Sequence, residues 1–378
     1  MVGEFGISNG GENSFLAIAP RLMKYGWEMH AAVPPDTEFA SALEACNIKT
    51  HPWSVHDPDG VRKSQEVVRK ELAWLIGNVQ PEILHFNSLS TSRIGGPVAR
   101  QLEIPSLGYL RDIMKLSKKA IEDINQLDRI IAVSQATKDW HIGQGIDVTR
   151  TFVVYNGVDA ETFCPSSEMA VSNRPNIRAE LSLASGAPIL LFVGQIGIRK
   201  GVDLLAAAFL QLAEHQTDLQ LVIVGERHSR KQEAIEYEDN IINSIQDSAY
   251  SHRVHWLGRR HDIAEIMRES TILVHPARQE PLGRVLLEAA ASGLPILTTR
   301  VGGSAEILRQ TDDPCSLDPL LIAPDSPDQL ATRLLELIGN PEKLAEFGTT
   351  LRKRAIDGFS LKQCAAQIAS HYDDLSTH

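Results

Sequence analysis

Positive charge is in short supply. The 378 residues carry 37 lysines and arginines against 48 aspartates and glutamates, a formal net charge of −11. An acidic excess shared by both halves argues against nucleic acid or a strongly anionic membrane as the main partner. The few basic groups, Arg62-Lys63, Arg69-Lys70 and Lys115 with Lys118-Lys119, read as solvated helix faces, although peripheral membrane contact stays compatible with them. Cysteine is sparse too. Cys46, Cys164, Cys315 and Cys364 are scattered without the close spacing of metal ligands, so neither a disulfide framework nor a zinc site is implied. Reduced thiols in a cytoplasmic protein are the expectation. No apolar run reaches the ~18–20 residues of a transmembrane helix, and no signal-peptide pattern opens the chain. Repeats and low-complexity segments are also missing.

What is present is an ordinary globular composition, 43% hydrophobic and 22% charged. The length exceeds what one core usually supports, which predicts two domains. Short apolar runs alternate with helical patterns, the signature of βα units and parallel sheets. Strands are expected near 2–5, 29–33, 83–86, 106–109, 129–133 and 152–154, with helices at 12–25 and 61–77. Met1 and Val2 are nearly all the apolar residues that precede the loop at 6–11, so the first strand is expected to be clipped, as if the natural chain began earlier. The polar, Pro-containing stretch 164–175 has no periodicity and reads as interdomain linker. Strands resume near 189–193, 219–224, 254–257, 272–275, 296–298 and 320–322. The domains are therefore drawn at 1–165 and 188–358, with 166–187 between them and a tail helix from about 359. The charged segment 227–250 is expected to hold a helix at 233–248.

The most informative residues are Glu280-Pro-Leu-Gly-Arg-Val-Leu-Leu-Glu288. A helix starting near Gly283 would aim free backbone N–H groups and its positive dipole end at an anion such as a diphosphate. Glu280 just before that terminus and Glu288 inside it could hold groups on either side of the diphosphate. In Gly194-Gln-Ile-Gly-Ile-Arg-Lys-Gly201, glycines permit close backbone approach while Arg199 or Lys200 supplies charge. Val224-Gly225 and Leu257-Gly258-Arg259 end two further strands with glycine, as a nucleoside pocket would. Asn9-Gly10-Gly11-Glu12-Asn13 opens a helix after the first strand and offers amides to a phosphate or sugar. Taken singly, each motif has a plain reading as a strand-to-helix turn. Asp57-Pro-Asp59 superficially matches a metal-binding acidic pair, but it sits in a His- and Pro-containing loop.

Together these motifs resemble the GT-B glycosyltransferases of family 4, also called glycosyl transferases group 1. The resemblance runs over nearly the whole chain: Gly10 to Asn13, Val133-Ser134, Asn156-Gly-Val-Asp159, Gly194 with Lys200-Gly201, Val224-Gly225, Leu257-Gly258, Pro276, the Glu280/Glu288 pair, Gly293-Leu-Pro and Gly302-Gly303 with Glu306. It implies an α/β fold of two doubly wound Rossmann-like domains facing a cleft, with the C-terminal helix crossing back to the first domain. The implied activity is retaining transfer of a sugar from a UDP- or GDP-sugar to a hydroxyl acceptor, without metal or other cofactor. Glu288 would then hold the ribose and Glu280 the donor sugar. The amides of Leu282, Gly283 and Arg284 would bind the distal phosphate, with Lys200 neutralising the leaving diphosphate. Gly194, Arg199, Gly225 and Arg259 fall on the donor side. Gly10, Gly11 and Asn13 fall on the acceptor side.

The chain departs from the family pattern at several places. Gln195 stands where an arginine is usual, and Arg111-Asp112 stands where many relatives have a histidine. Arg111 is thereby expected to bind an anionic group, and Asp112 to act on the acceptor hydroxyl. The frequent His-x-His appears as His85-Phe-Asn87, so His85 is either an acceptor-side residue or a core-edge histidine, with Asn87 on the acceptor side. Pro281 replaces a common glycine and stiffens the loop. Two other readings stay open: an epimerase or phosphorylase on the same fold, and a nucleotide-sugar-binding subunit without turnover.

Overall fold

Parallel strands covered on both faces read as unbroken apolar runs, and most of the expected runs form strands where they fall. The computed structural model describes residues 1–7, 10–168, 176–309 and 317–377. Asn9, Cys315 and residues 169–175 of the expected linker lie outside these. The chain divides into two units, Met1–Gly157 with Leu361–His378, and Val158–Ser360.

In the first unit β1 (His30–Val33) pairs with β2 (Lys49–Pro52), and β3 (Leu84–Phe86), β4 (Ser106–Leu110), β5 (Arg129–Ala132) and β6 (Thr151–Val153) follow in order, all parallel. The strand expected at 2–5 is reduced to a bridge at Val2, yet that bridge joins the two groups. Val2 N–H donates to the His85 carbonyl at 2.7 Å, Gly3 N–H donates to Ala32, and Val2 pairs with both Ala32 and Phe86. The first residues thus sit at the centre of the sheet. Sequence reading missed β2, a half-exposed edge strand whose Lys-Thr-His-Pro carries no apolar run. Helix Gln65–Val79 starts on the Ser64 cap and sends Val68, Leu72 and Ile76 into the core at four-residue spacing. The tail helix Leu361–Ser376 belongs to this unit and packs against Gly10–Lys24.

The second unit has β7 (Ile189–Val193), β8 (Gln220–Val224), β9 (Val254–Trp256), β10 (Ile272–His275), β11 (Ile296–Thr299) and β12 (Leu321–Ile322). Their parallel order, β12-β11-β10-β7-β8-β9, is doubly wound, with its switch point between β7 and β10. Ile189 to Phe192 are completely buried. Helix Val202–Ala213 packs with Gln232–Gln246 and Pro327–Ile338, and helix Arg284–Ala291 packs with Pro341–Gly358. Residues 158–165, placed with the first domain on sequence, pack here instead. Val158 N–H donates to Phe359, and Arg352 pairs with Glu168 and donates to the Phe163 carbonyl. No local pattern announces partners nearly 200 residues away.

The ends of β7 and β8 are held by glycine. Gly194 N–H donates to Val224 at 2.9 Å and Gly225 N–H to Gly258 at 2.8 Å, so the ladder continues past the strands. Gly225 has φ +131°, and a Cβ there would lie 1.9 Å from the Gly194 carbonyl oxygen. Gly225→Ala should therefore cost about 2 kcal/mol or more and lower the thermal midpoint by at least about 4 °C. Calorimetry of the variant checks this, and an unchanged midpoint would refute the close approach.

Candidate functional site

Two loops flank the switch point of the second unit: residues 194–201 after β7 and residues 276–283 after β10. They dock on one another through backbone and side chain. Arg278 N–H donates to the Arg199 carbonyl at 2.8 Å, and Arg199 returns a hydrogen bond from Nη1 to Gln279 at 3.2 Å. Gly201, at φ +69°, lies so close to the Pro276 carbonyl that a Cβ would come within 2.1 Å of it. Across this seam Lys200 Nζ meets Glu280 Oε2 at 2.5 Å, and His275 Nε2 meets the same oxygen at 2.7 Å. Glu280 is 5% exposed and His275 is fully buried. Gly303 N–H closes the loop by donating to the Glu280 carbonyl at 2.9 Å.

Helix Arg284–Ala291 begins immediately afterwards. Its N-cap is Gly283, at φ +98°, which supplies no side-chain cap. A Cβ at Gly283 would meet Leu286 at 2.8 Å and Glu280 Cγ at 3.3 Å, so glycine is what lets Glu280 fold back over the helix mouth. Leu282 is buried beneath that mouth. Within the first turns Arg284 Nη2 reaches Glu288 Oε1 at 2.8 Å. Of the expected donor-side residues, the structure gathers Gly194, Arg199, Lys200, Glu280, Leu282, Gly283, Arg284 and Glu288 on the loops and helix mouth around this switch point, with Gly225 beside Gly194 at the end of β8. Arg259 follows Gly258 with its side chain exposed.

The two carboxylates differ electrostatically. Burial alone would push the Glu280 carboxyl up, but Lys200, the His275 hydrogen bond and Arg199 outweigh it and hold the group well below the usual carboxylate range. Burial, reinforced by Lys200, keeps His275 below its ordinary value and neutral despite Glu280. Among the described residues its Nδ1 is buried without a partner, so the proton belongs on Nε2, donating to Glu280. For Glu288, burial raises the carboxyl and Arg284 offsets this only in part. One acid is thus fixed as an anion beside a cation, and the other sits nearer to protonation.

Sequence reading missed the clamp behind these loops. Arg278 spans Asp203 with two hydrogen bonds, at 2.8 and 2.7 Å, donates to the Ile198 carbonyl, and reaches Asp325. Tyr237 donates to Asp203 at 2.6 Å. These partners are dispersed over more than a hundred residues and leave no local signature. His275 did leave one, a polar residue ending a buried strand five positions before Glu280.

In the first unit the residues expected on the acceptor side separate. Asn87 and Arg111 come together with Gly11: Arg111 Nε donates to the Asn87 carbonyl at 2.7 Å, Nη2 to Asn87 Oδ1 at 2.9 Å, and Asn87 Nδ2 to the Gly11 carbonyl at 3.1 Å. Arg111 also donates to Asn156 Oδ1 at 3.0 Å and lies 3.9 Å over the Tyr109 ring. Asn156 is a member of this cluster that sequence reading did not assign. Gly10 and Asn13 stand on the first turn of helix Gly10–Lys24. The Asp112 side chain is exposed, while its carbonyl accepts from His141 at 2.8 Å. His85 settles as the core-edge histidine and not as an acceptor-side residue. It is 2% exposed, stacked on Tyr109, edge-on to Phe15 and hydrogen-bonded to the Tyr372 hydroxyl. The tail helix that brings Tyr372 closes over it. Asp57 accepts from Val61 N–H and Gly60 donates to its carbonyl, so Asp57-Pro-Asp59 forms a turn. Among the described residues no group of three or more His, Cys, Asp or Glu is arranged to hold a metal.

The two shifts set a pH dependence with a definite sign. The unfolded chain takes up a proton on His275 below its ordinary 6.5 and on Glu280 below its ordinary 4.5, while the folded chain resists both. Stability must then fall as the pH drops through each window, each group contributing at most about 1.4 kcal/mol per pH unit. His275→Gln should flatten the profile below pH 6.5, and Glu280→Gln below 4.5. Urea unfolding at pH 7, 5.5 and 4 reads both, and slopes equal to wild type would contradict the assignment.

Comparison with known proteins bears on this arrangement. Residues 173–354 match the family "Glycosyl transferases group 1", and residues 8–162 match "Glycosyltransferase Family 4". The chain is 30% identical over 265 residues to alpha-maltose-1-phosphate synthase of Mycolicibacterium smegmatis, covering 67% of this chain and 65% of that one. It is 28% identical over 271 residues to spore coat protein SA of Bacillus subtilis, covering 66% of each. The chain therefore spans slightly less than two thirds of the length of these curated relatives. Among solved structures, Anabaena Alr3699/HepE in complex with UDP has a TM-score of 0.82 at 21% identity, over 99% of this chain and 98% of that one. At that identity the likeness establishes the shared fold. On the two matched segments and this architecture, the chain belongs to the group 1 glycosyltransferases and has the GT-B fold.

Proposed function

We propose that the chain transfers a sugar from a nucleoside-diphosphate sugar to a hydroxyl acceptor, with retention at the anomeric carbon and with positive charge supplied by its own groups instead of a divalent cation. The observation that carries the reading is the enclosed Lys200–Glu280 pair at the mouth of helix Arg284–Ala291, with Glu288 one turn further in. The first-turn amides and the helix dipole favour a phosphate there. In this reading Lys200 neutralises the diphosphate, Glu280 accepts hydrogen bonds from the donor sugar and Glu288 from the ribose.

The reaction breaks the bond between the anomeric carbon and the diphosphate oxygen, and the electron pair stays on that oxygen. The acceptor hydroxyl attacks the face the diphosphate vacates, and its proton passes to the departing phosphate. Helix amides and Lys200 stabilise the charge that develops, which lowers the barrier because they are already oriented. In the first unit the reading gives Arg111 a positioning part, holding Asn87 and Gly11 on the acceptor side, and leaves Asp112 available to the acceptor hydroxyl.

A thermal-shift screen of UDP, GDP and ADP with their sugars tests the donor assignment. A ligand at a hundredfold excess over its Kd should stabilise the protein by about 2.7 kcal/mol. With the best donor, Glu280→Ala should lower turnover by roughly a hundredfold or more while changing nucleotide affinity little, and Glu288→Ala should weaken the nucleotide by about tenfold. No shift with any nucleotide, or a Glu280→Ala variant with full turnover, would overturn the reading.

A further inference from the structure

A cavity of ≈ 240 Å³ opens in the second unit between loop 194–201 and the segment that leads into helix Gln232–Gln246. Its walls include Gln195, Arg199, Lys200, Ser229, Lys231 and Glu233. The charges on these walls do not balance. Lys200 is matched by Glu280, which leaves Arg199 and Lys231 facing the single carboxylate of Glu233. Lys231 is exposed at the helix N-cap, and among the described residues its ammonium has neither an ion pair nor a hydrogen bond. The residue beside Gly194, on the facing wall, is the neutral Gln195. A diphosphate group leaving a sugar carries more than one negative charge, and Lys200 enters the reaction already committed in part to Glu280.

We propose that Lys231 is the second cation of the diphosphate site, reaching across this cavity to the phosphate that Lys200 also holds. The inference rests on the donor reading above and adds to it the residue that supplies the charge Gln195 lacks. Three features make Lys231 suited to this. Its flexible four-carbon stem carries a compact point charge. It starts from the rim of the same cavity that Lys200 lines. Its charge is not consumed by a neighbouring acid, so it costs no existing pair to redirect it. Because the ammonium is exposed before the ligand arrives, its contribution is expected to fall as salt rises.

Calorimetric titration with UDP and saturation-transfer NMR with uridine test this on the full chain. Lys231→Ala should weaken UDP by about tenfold, the scale of one hydrogen bond to a charged group, and leave uridine unchanged, since uridine has no phosphate. An arginine at the facing position, Gln195→Arg in the Lys231→Ala background, should restore most of the UDP affinity. A Lys231→Ala variant that binds UDP as wild type does, or that loses UDP and uridine alike, would overturn the inference and leave the donor reading standing. Wild-type protein that binds neither UDP nor GDP would instead overturn the donor reading, and the inference with it.

Discussion

Lys200 and Glu280 form an ion pair in a place where ions are expensive to keep. Removing each from water costs several kcal/mol, and the attraction between them recovers this only where geometry and further hydrogen bonds are good. The structure meets that requirement by building outward from the pair. His275 gives Glu280 a second donor, Arg278 pins the backbone of one loop to the other, and Gly201 lets the two chains approach within the reach of a side-chain contact. Thr298 hydrogen-bonds the His275 carbonyl and so fixes the end of β10 from the neighbouring strand. Each of these contacts would be a modest stabiliser by itself. Their common effect is to hold one lysine and one glutamate at the switch point of a parallel sheet, where ligands of such sheets bind.

On the proposed donor reading, that location explains why the chain tolerates the cost. A ligand with a phosphate beside hydroxyl groups offers Lys200 an anion and Glu280 a set of donors, so both partners of the resting pair can be satisfied by the ligand itself. The resting pair, with the His275 hydrogen bond, holds the Glu280 carboxylate ionised before anything binds. Orientation is already supplied by the clamp of Arg278, Asp203 and Tyr237. Preorganised charge of this kind is more effective than the same groups in water, which would have to reorient during the reaction.

The sequence made much of this legible because parallel sheets write themselves plainly. Ile189 to Val193 and Ile272 to His275 could only be buried strands, and the glycines that follow them mark the loops where backbone must pass close to backbone. The carboxylates at 280 and 288 flank a glycine and a helix start, so their nearness to the mouth of helix Arg284–Ala291 follows from helix geometry. What could not be read is long-range pairing. Arg278 with Asp203, Arg352 with Glu168, and Tyr372 with His85 join residues far apart in the chain, and none of these residues has a local pattern that names its partner. β2 escaped for a different reason: a half-exposed edge strand needs no apolar face, so alternation and run length are both silent there.

His85 shows how such a long-range contact changes a role. A histidine at the end of a buried strand, next to a loop, has equal claims as a ligand-facing group and as a core residue. The tail helix decides the matter by placing the Tyr372 hydroxyl on Nδ1 and closing the aromatic cluster of Phe15 and Tyr109 around the ring. Burial then holds the imidazole well below its ordinary pKa. The polar contacts next to it are made by residues that leave the sheet, Asn87 after β3 and Arg111 after β4, which reach one another, while Asn87 also reaches the Gly11 carbonyl. A Cβ on Gly11 would sit a tight 3.2 Å from Arg111 Cδ, so a larger residue there would oblige the Arg111 side chain to shift. Both units thus arrive at one physical solution: loops that follow parallel strands are tied to one another by side chains, and a glycine stands where the tied segments pass close, Gly201 in one unit and Gly11 in the other.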